Sequence, residues 1–375
     1  MAPRTTSSFK IYSTNDAISE EPKSIERVRA AVFQAPASQS QNPLEILTEV
    51  ADSLRVAALH GVDVVVYPEL YLSGSAPNSS KALDRESYEL NIVGNMCGEL
   101  NVACIIGYVE AVHENELKTK RNKLNDGGDE TSHAYNSIAA FHADGSRAGN
   151  YRSVSASTFG GIECKVGSPF VEFIPTTLKL PNRDNEQSSE QERIIKVGMM
   201  CGNDIVKPEH ALHLVRCGAG ILFASCAFKN NNNDHRVLKY VTPTRAIENS
   251  VPFVCANKES ASMTEAKDTD DFIGSSAIIS QDGEYLVRGP EEEGGDMPAD
   301  SGYLIPCQSG AIYAADVDIN TACIPPVIQQ SMDQWDLNPL IPDAISGKRS
   351  KENKRESNGF GNYSGKKNKG KKSKK

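Results

Sequence analysis

The chain has 375 residues, enough for one large domain or two ordinary ones, with 39% hydrophobic, 6% aromatic and 24% charged residues. No apolar run reaches the ~18 residues a membrane-crossing helix needs, and Met1 to Glu20 is Ser/Thr-rich without the apolar stretch of a secretory signal; a cytoplasmic protein without a membrane role is expected. The formal charge of −9 hides an asymmetry: residues 348–375 carry 12 Lys and Arg against two Glu, while the remainder carries 28 Lys and Arg against 47 acidic residues.

Nine cysteines form no CxxC pair, and His and Cys never cluster at metal-ligand spacing. The expectation is reduced thiols, with neither a disulfide framework nor a structural zinc. Residues 1–25 are polar and aperiodic and read as a loose arm, residues 26–328 as one α/β domain, residues 329–347 as an extension, and residues 348–375 as a basic tail too polar to fold. The favoured reading of the tail is a solubilising one. A nuclear address or nucleic-acid contact on Lys366–Lys375 is the sharper alternative, and it ranks last because the body is acidic and the tail has only Phe360 and Tyr363 as aromatics.

In chain order, Pro43 sits in the first turn of a predicted helix with Asn42 as its cap. Leu44, Leu47, Val50, Leu54 and Ala58 form its apolar stripe, and Gly61 stops it. Val62 and the run Val64 to Tyr67 form a β-branched stretch typical of a strand covered on both faces. Further strands are predicted at Ala103–Val109, Ser137–Phe141, Lys196–Met200, Gly220–Ser225, Pro252–Ala256, Ser276–Ser280 and Ala311–Val317. A second helix spans Pro208 to Cys217. Asp144-Gly145 and Asp282-Gly283 read as tight turns between strands, and residues 118–132 and 181–191 read as surface insertions.

Three segments carry candidate chemistry. In the first, the buried strand runs through Tyr67-Pro68 into Glu69, and a carboxylate at the edge of an apolar sheet has its pKa raised by desolvation, which suits a general base. The second runs from Tyr135-Asn136-Ser137 through Asp144-Gly145 to Gly149-Asn150-Tyr151-Arg152-Ser153, a hairpin with a polar end. The third is Lys196-Val197-Gly198-Met199-Met200-Cys201-Gly202-Asn203-Asp204 followed by Pro208-Glu209, a strand running through an elbow into a helix. A thiol at such an elbow can be activated as a nucleophile, although most free cysteines are small buried hydrophobes.

Together with Thr244-Arg245-Ala246-Ile247-Glu248-Asn249, Val254, Asn257 and Phe272-Ile273-Gly274-Ser275-Ser276-Ala277, these segments resemble the nitrilase superfamily, the carbon–nitrogen hydrolases, over roughly residues 26 to 320. Their tone is closest to the amidase and carbamoyl-amine hydrolase branches. The resemblance implies a four-layer αββα sandwich paired into homodimers. It also implies hydrolysis of small amides or carbamoyl compounds by a Glu base, a Cys nucleophile and an oxyanion-stabilising Lys, with no cofactor and no metal.

Carried over residue by residue, Glu69 takes the base position. The Lys position, after Tyr151-Arg152, holds Ser153, and a hydroxyl supplies no fixed positive charge; losing one oxyanion donor costs roughly 10²–10³ in rate. Arg152 and Lys165 are the candidate substitutes. Counting from Gly198 and back from Asp204, the nucleophile position is Gly202, and Cys201 falls one residue early. In an extended strand that shift turns the thiol away from Glu69, unless a compensating bulge restores it. Glu163 is a candidate substrate-positioning carboxylate. The favoured expectation is a pseudoenzyme that keeps the pocket; the alternative is an active amidase using Glu69 and a rescued Cys201.

Overall fold

The computed structural model describes residues 25–35, 42–74, 82–112, 134–159, 162–182, 193–259, 272–290, 302–307 and 310–320. The expected N-terminal arm, the 329–347 extension and the basic tail lie outside these residues, as do nearly all of the two expected insertions.

Two sheets form the frame. The first contains β1 (Ile25–Gln34), β2 (Val64–Val66), β3 (Ala103–Ala111), β4 (Ala134–Phe141), β5 (Arg147–Arg152), β6 (Thr158–Phe159) and β7 (Ile162–Lys165), closed at its other edge by β14 (Tyr303–Cys307) and β15 (Gly310–Asn320). The second orders β13 (Tyr285–Arg288), β12 (Ala277–Ile279), β11 (Phe253–Ala256), β10 (Ile221–Ser225), β9 (Ile194–Cys201) and β8 (Thr176–Lys179). Four main helices flank them: α1 (Pro43–Leu59), α2 (Tyr88–Leu100), α3 (Pro208–Arg216) and α4 (Thr242–Asn249). Among the described residues no helix is long and apolar enough to cross a membrane.

The pleat sorts side chains between layers. Along β1, Val28, Ala30 and Val32 face the layer between the sheets, where they meet Val197, Met199, Phe223 and Val254 from the second sheet. Ala31 and Phe33 face the other way, into a second core with Val50, Leu54 and Ala57 of α1 and Leu90 and Val93 of α2. Helices α3 and α4 pack on the outer face of the second sheet, against β9 and β11. The result is a four-layer αββα sandwich.

The sequence reading overlooked β1 because Glu26, Arg27 and Arg29 interrupt its apolar run. Across the antiparallel pair, Arg27 stands opposite Asp318 and Arg29 opposite Asp316, with Arg29 Nε donating to Asp316 at 2.8 Å. Cross-strand ion pairs thus neutralise the charges that masked the strand. Helix α1 begins as expected, with the Asn42 side chain accepting from the Leu44 N–H at 3.1 Å. Its stripe is shifted: Leu44 is exposed and Ile46, Leu47, Val50, Leu54 and Ala57 make the buried face.

Candidate active site

Glu69 follows β2 through Tyr67-Pro68. The exit is pinned from several sides: Ser225 Oγ donates to Tyr67 O at 2.8 Å, Tyr67 OH and Ser53 Oγ are 2.7 Å apart, and the Glu69 N–H donates to Cys226 O at 3.2 Å. Gly107 on β3 lies directly beneath. A Cβ there would stand 2.6 Å from both Pro68 O and Leu70 N, so only glycine lets the two backbones approach this closely. Glu69 is 4% exposed. Asn136 Nδ2 donates to its Oε1 at 2.5 Å. Burial pushes its pKa up to about 7, against the lowering effects of the Asn136 hydrogen bond and the Lys258 charge. A carboxyl in this range both takes and gives a proton near neutral pH.

The elbow begins where β9 ends. Its turn, Gly202–Val206, leads to α3. Asp204 Oδ2 accepts from the Cys201 N–H at 3.3 Å, from the Val154 N–H at 3.4 Å and from Tyr151 OH. From α4, Arg245 donates through Nε to Ile205 O at 2.9 Å and through an Nη to Val206 O at 3.0 Å. Arg245 therefore clamps two carbonyls of the turn, which gives the Thr-Arg-Ala-Ile-Glu-Asn segment a structural role. Asn257 likewise accepts from the Phe228 N–H at 2.9 Å and donates to Gly274 O at 2.8 Å.

Gly202 sits at φ +51°, and a Cβ built on it would lie 2.7 Å from Glu69 Oε1 and 3.0 Å from Oε2. Position 202 thus points straight at the buried carboxylate. Cys201 takes a different direction from the one its sequence register predicts. It does not turn away from Glu69: its thiol lies in the inter-sheet layer with Val197 and Met199 and donates to Asn136 Oδ1 at 3.1 Å. The expectation assumed an extended strand through 202. The left-handed φ at Gly202 breaks the pleat, so 201 and 202 reach the Glu69 neighbourhood from two sides. Cys201 is fully buried, and burial, followed by the charges of Glu69 and Asp204, pushes its thiol well above the ordinary range.

A cavity of about 350 Å³ opens on this cluster, within the size range of small-molecule sites. Glu69, Asn136, Ser153 and Gly202 line it, together with Glu163 and the 155–158 segment, and Asn203, Ala227, Phe228, Lys229 and Asp234 complete the described wall. No cysteine belongs to that wall. Ser153 is buried, with its hydroxyl donating to Ser155 O at 3.2 Å. Of the two substitutes considered for the missing cation, neither lines the cavity. Arg152 is held by Glu110, with Nη2 2.6 Å from Oε1, and lies over the Tyr135 ring at 3.7 Å; Lys165 lies 5.9 Å from the centroid of the same ring. Asn136 and Lys258 are the site residues that sequence reasoning missed. Asn136 was visible inside the second segment, but nothing in the sequence set it apart from its neighbours. Among the described residues no group of three or more His, Cys, Asp or Glu is placed to hold a metal ion.

Residues 29–305 match the family model for carbon-nitrogen hydrolases. The chain belongs to the carbon–nitrogen hydrolase family. Solved structures agree on the fold of the family. An amidase from Nesterenkonia sp. aligns with a TM-score of 0.55 at 14% identity, over 82% of this chain and 96% of that one. A cysteine-to-alanine mutant of that amidase in complex with butyramide gives 0.57 at 14% identity, over 83% and 96%. Nit3 of Saccharomyces cerevisiae, a member of branch 10 of the nitrilase superfamily, gives 0.57 at 15% identity, over 83% and 95%. Among curated protein sequences none matches this carbon–nitrogen hydrolase.

Proposed function

We propose that this carbon–nitrogen hydrolase is a pseudoenzyme: it keeps a cavity for a small amide or carbamoyl compound and has lost covalent thiol chemistry. One observation carries the reading. The position that opens on the cavity and whose side chain would meet the Glu69 carboxylate is Gly202, while the thiol of Cys201, although in contact with Glu69, is fully buried and does not line the cavity. The hydroxyl of Ser153, and no cation, stands at the family's lysine position. Glu69 then serves as a hydrogen-bond partner for the ligand instead of as the base of a nucleophilic attack. The amidase complex with butyramide supplies the probe. Titration of the full-length chain with butyramide should show binding without ammonia release.

A second reading is favoured by one contact. Asn136 joins the Cys201 thiol at 3.1 Å to Glu69 at 2.5 Å, so base and sulfur share one partner. On this reading the chain is an active amidase, and it predicts ammonia release that Cys201→Ala abolishes. Such release would overturn the pseudoenzyme reading. The family resemblance extends the proposal to pairing of two copies, which light scattering on the full chain tests.

A further inference from the structure

The charges lining the cavity are lopsided. Glu69, Glu163 and Asp234 face it against the single ammonium of Lys229. Ser155 and Ser157 also form part of the wall, and the Ser155 hydroxyl oxygen is buried without a hydrogen-bond partner.

We propose that the preferred ligand is a small organic cation with a planar array of N–H donors, an amidinium or guanidinium, whose charge is met by Glu69 and the other carboxylates of the cavity. This rests on the pseudoenzyme reading, because it takes Gly202 and Ser153 as room left by a missing thiol and a missing cation. An amidinium has the shape of an amide with its carbonyl oxygen replaced by a second nitrogen. It offers a carboxylate two parallel N–H donors. It also supplies the positive charge that Ser153 does not. An anion would face three carboxylates. A neutral amide would leave the ionised Glu69 carboxylate with the Lys258 ammonium as its one facing cation.

The groups facing Glu69 are the Lys258 ammonium, the Asp204 carboxylate and the thiols of Cys201, Cys164 and Cys226. Lys258 is the one cation among them; it is buried, lies 5.5 Å from the Phe272 ring centroid and does not line the cavity. A bound cation favours ionised Glu69, so its affinity rises with pH as that carboxyl deprotonates and then levels off.

Isothermal titration of the full chain with butyramidine hydrochloride, butyramide and sodium butyrate at about pH 6 and about pH 8, on either side of the Glu69 transition, tests this. At the higher pH butyramidinium should bind at least about tenfold more tightly than butyramide, as a charge-assisted pair predicts. The advantage should shrink at the lower pH, and Glu69→Gln should remove most of it. Glu163→Gln should weaken butyramidinium by at least about threefold, and it decides the matter if the first variant does not fold. Butyramide binding as tightly as butyramidinium, or butyramidinium affinity unchanged in both variants, overturns the inference and leaves the pseudoenzyme reading standing. A folded chain that binds none of the three compounds overturns both. Ammonia release from butyramide overturns the pseudoenzyme reading alone, and the amidinium-to-amide ratio still decides the ligand class.

Discussion

Gly202→Cys puts the register of the elbow to the test. Two costs follow from the structure. A non-glycine residue at φ +51° gives up about 1–2 kcal/mol. The new Cβ would lie 2.7 Å from Glu69 Oε1, so the carboxyl must swing off the Asn136 amide that holds it at 2.5 Å, at a cost of about 1–2 kcal/mol. Together these are about 2–4 kcal/mol, or a melting temperature lower by about 3–7 °C for a domain of this size. Thermal unfolding by circular dichroism measures it. The same substitution should be made in a Glu69→Ala background, because removing the carboxylate relieves the clash and leaves only the backbone cost. A destabilisation of equal size with and without the Glu69 side chain would refute the claim that position 202 faces it.

Further outcomes follow from the same cluster. Adding Ser153→Lys to Gly202→Cys should raise ammonia release from butyramide well above that of the unmodified chain; no gain would mean that more than these two side chains is missing. The native Glu69 carboxyl holds its proton up to about 7, against an ordinary value of 4.5, so the native state binds protons more tightly than the unfolded chain. Stability from this group is therefore greatest below about pH 4.5 and falls as pH rises toward 7. Glu69→Gln removes that slope and should gain about 3 kcal/mol on the unmodified chain between about pH 4.5 and pH 8, read from paired urea melts; parallel curves would refute it. Glu110 is fully buried and accepts from Arg85, Arg152 and Ser137 at 2.6 Å each and from Asn150 at 2.9 Å. Glu110→Ala should cost about 3–5 kcal/mol, because Arg85, Arg152, Ser137 and Asn150 all lose one shared buried acceptor, and a loss below about 1 kcal/mol would show the network to be dispensable.

Much of this was legible in the sequence wherever local chemistry and tertiary packing agree. Asn42-Pro43 marks the start of α1, Asp144-Gly145 the turn between β4 and β5, and Cys201 to Pro208 the elbow into α3. Glu69 stood out because a continuous β-branched run ends at it. Other features depend on partners distant in the chain. The charges of β1 make sense only opposite Asp316 and Asp318, some 290 residues away. Lys258 joins the site only through folding, and Asn136 acquires its role by standing between Glu69 and Cys201. The thiol's direction escaped because alternation holds only while the backbone stays extended, and it stops at Gly202.

Peptide mapping by mass spectrometry after exposure of the full chain to acrylamide tests the central claim most directly. A glutamate-to-glutamine mutant of the Nesterenkonia amidase has been captured with acrylamide added at its active-site cysteine. Here the buried, high-pKa thiol of Cys201 should remain unmodified while exposed Cys217 reacts. Acrylamide addition at Cys201 ahead of Cys217 would reveal an activated nucleophile and contradict the account.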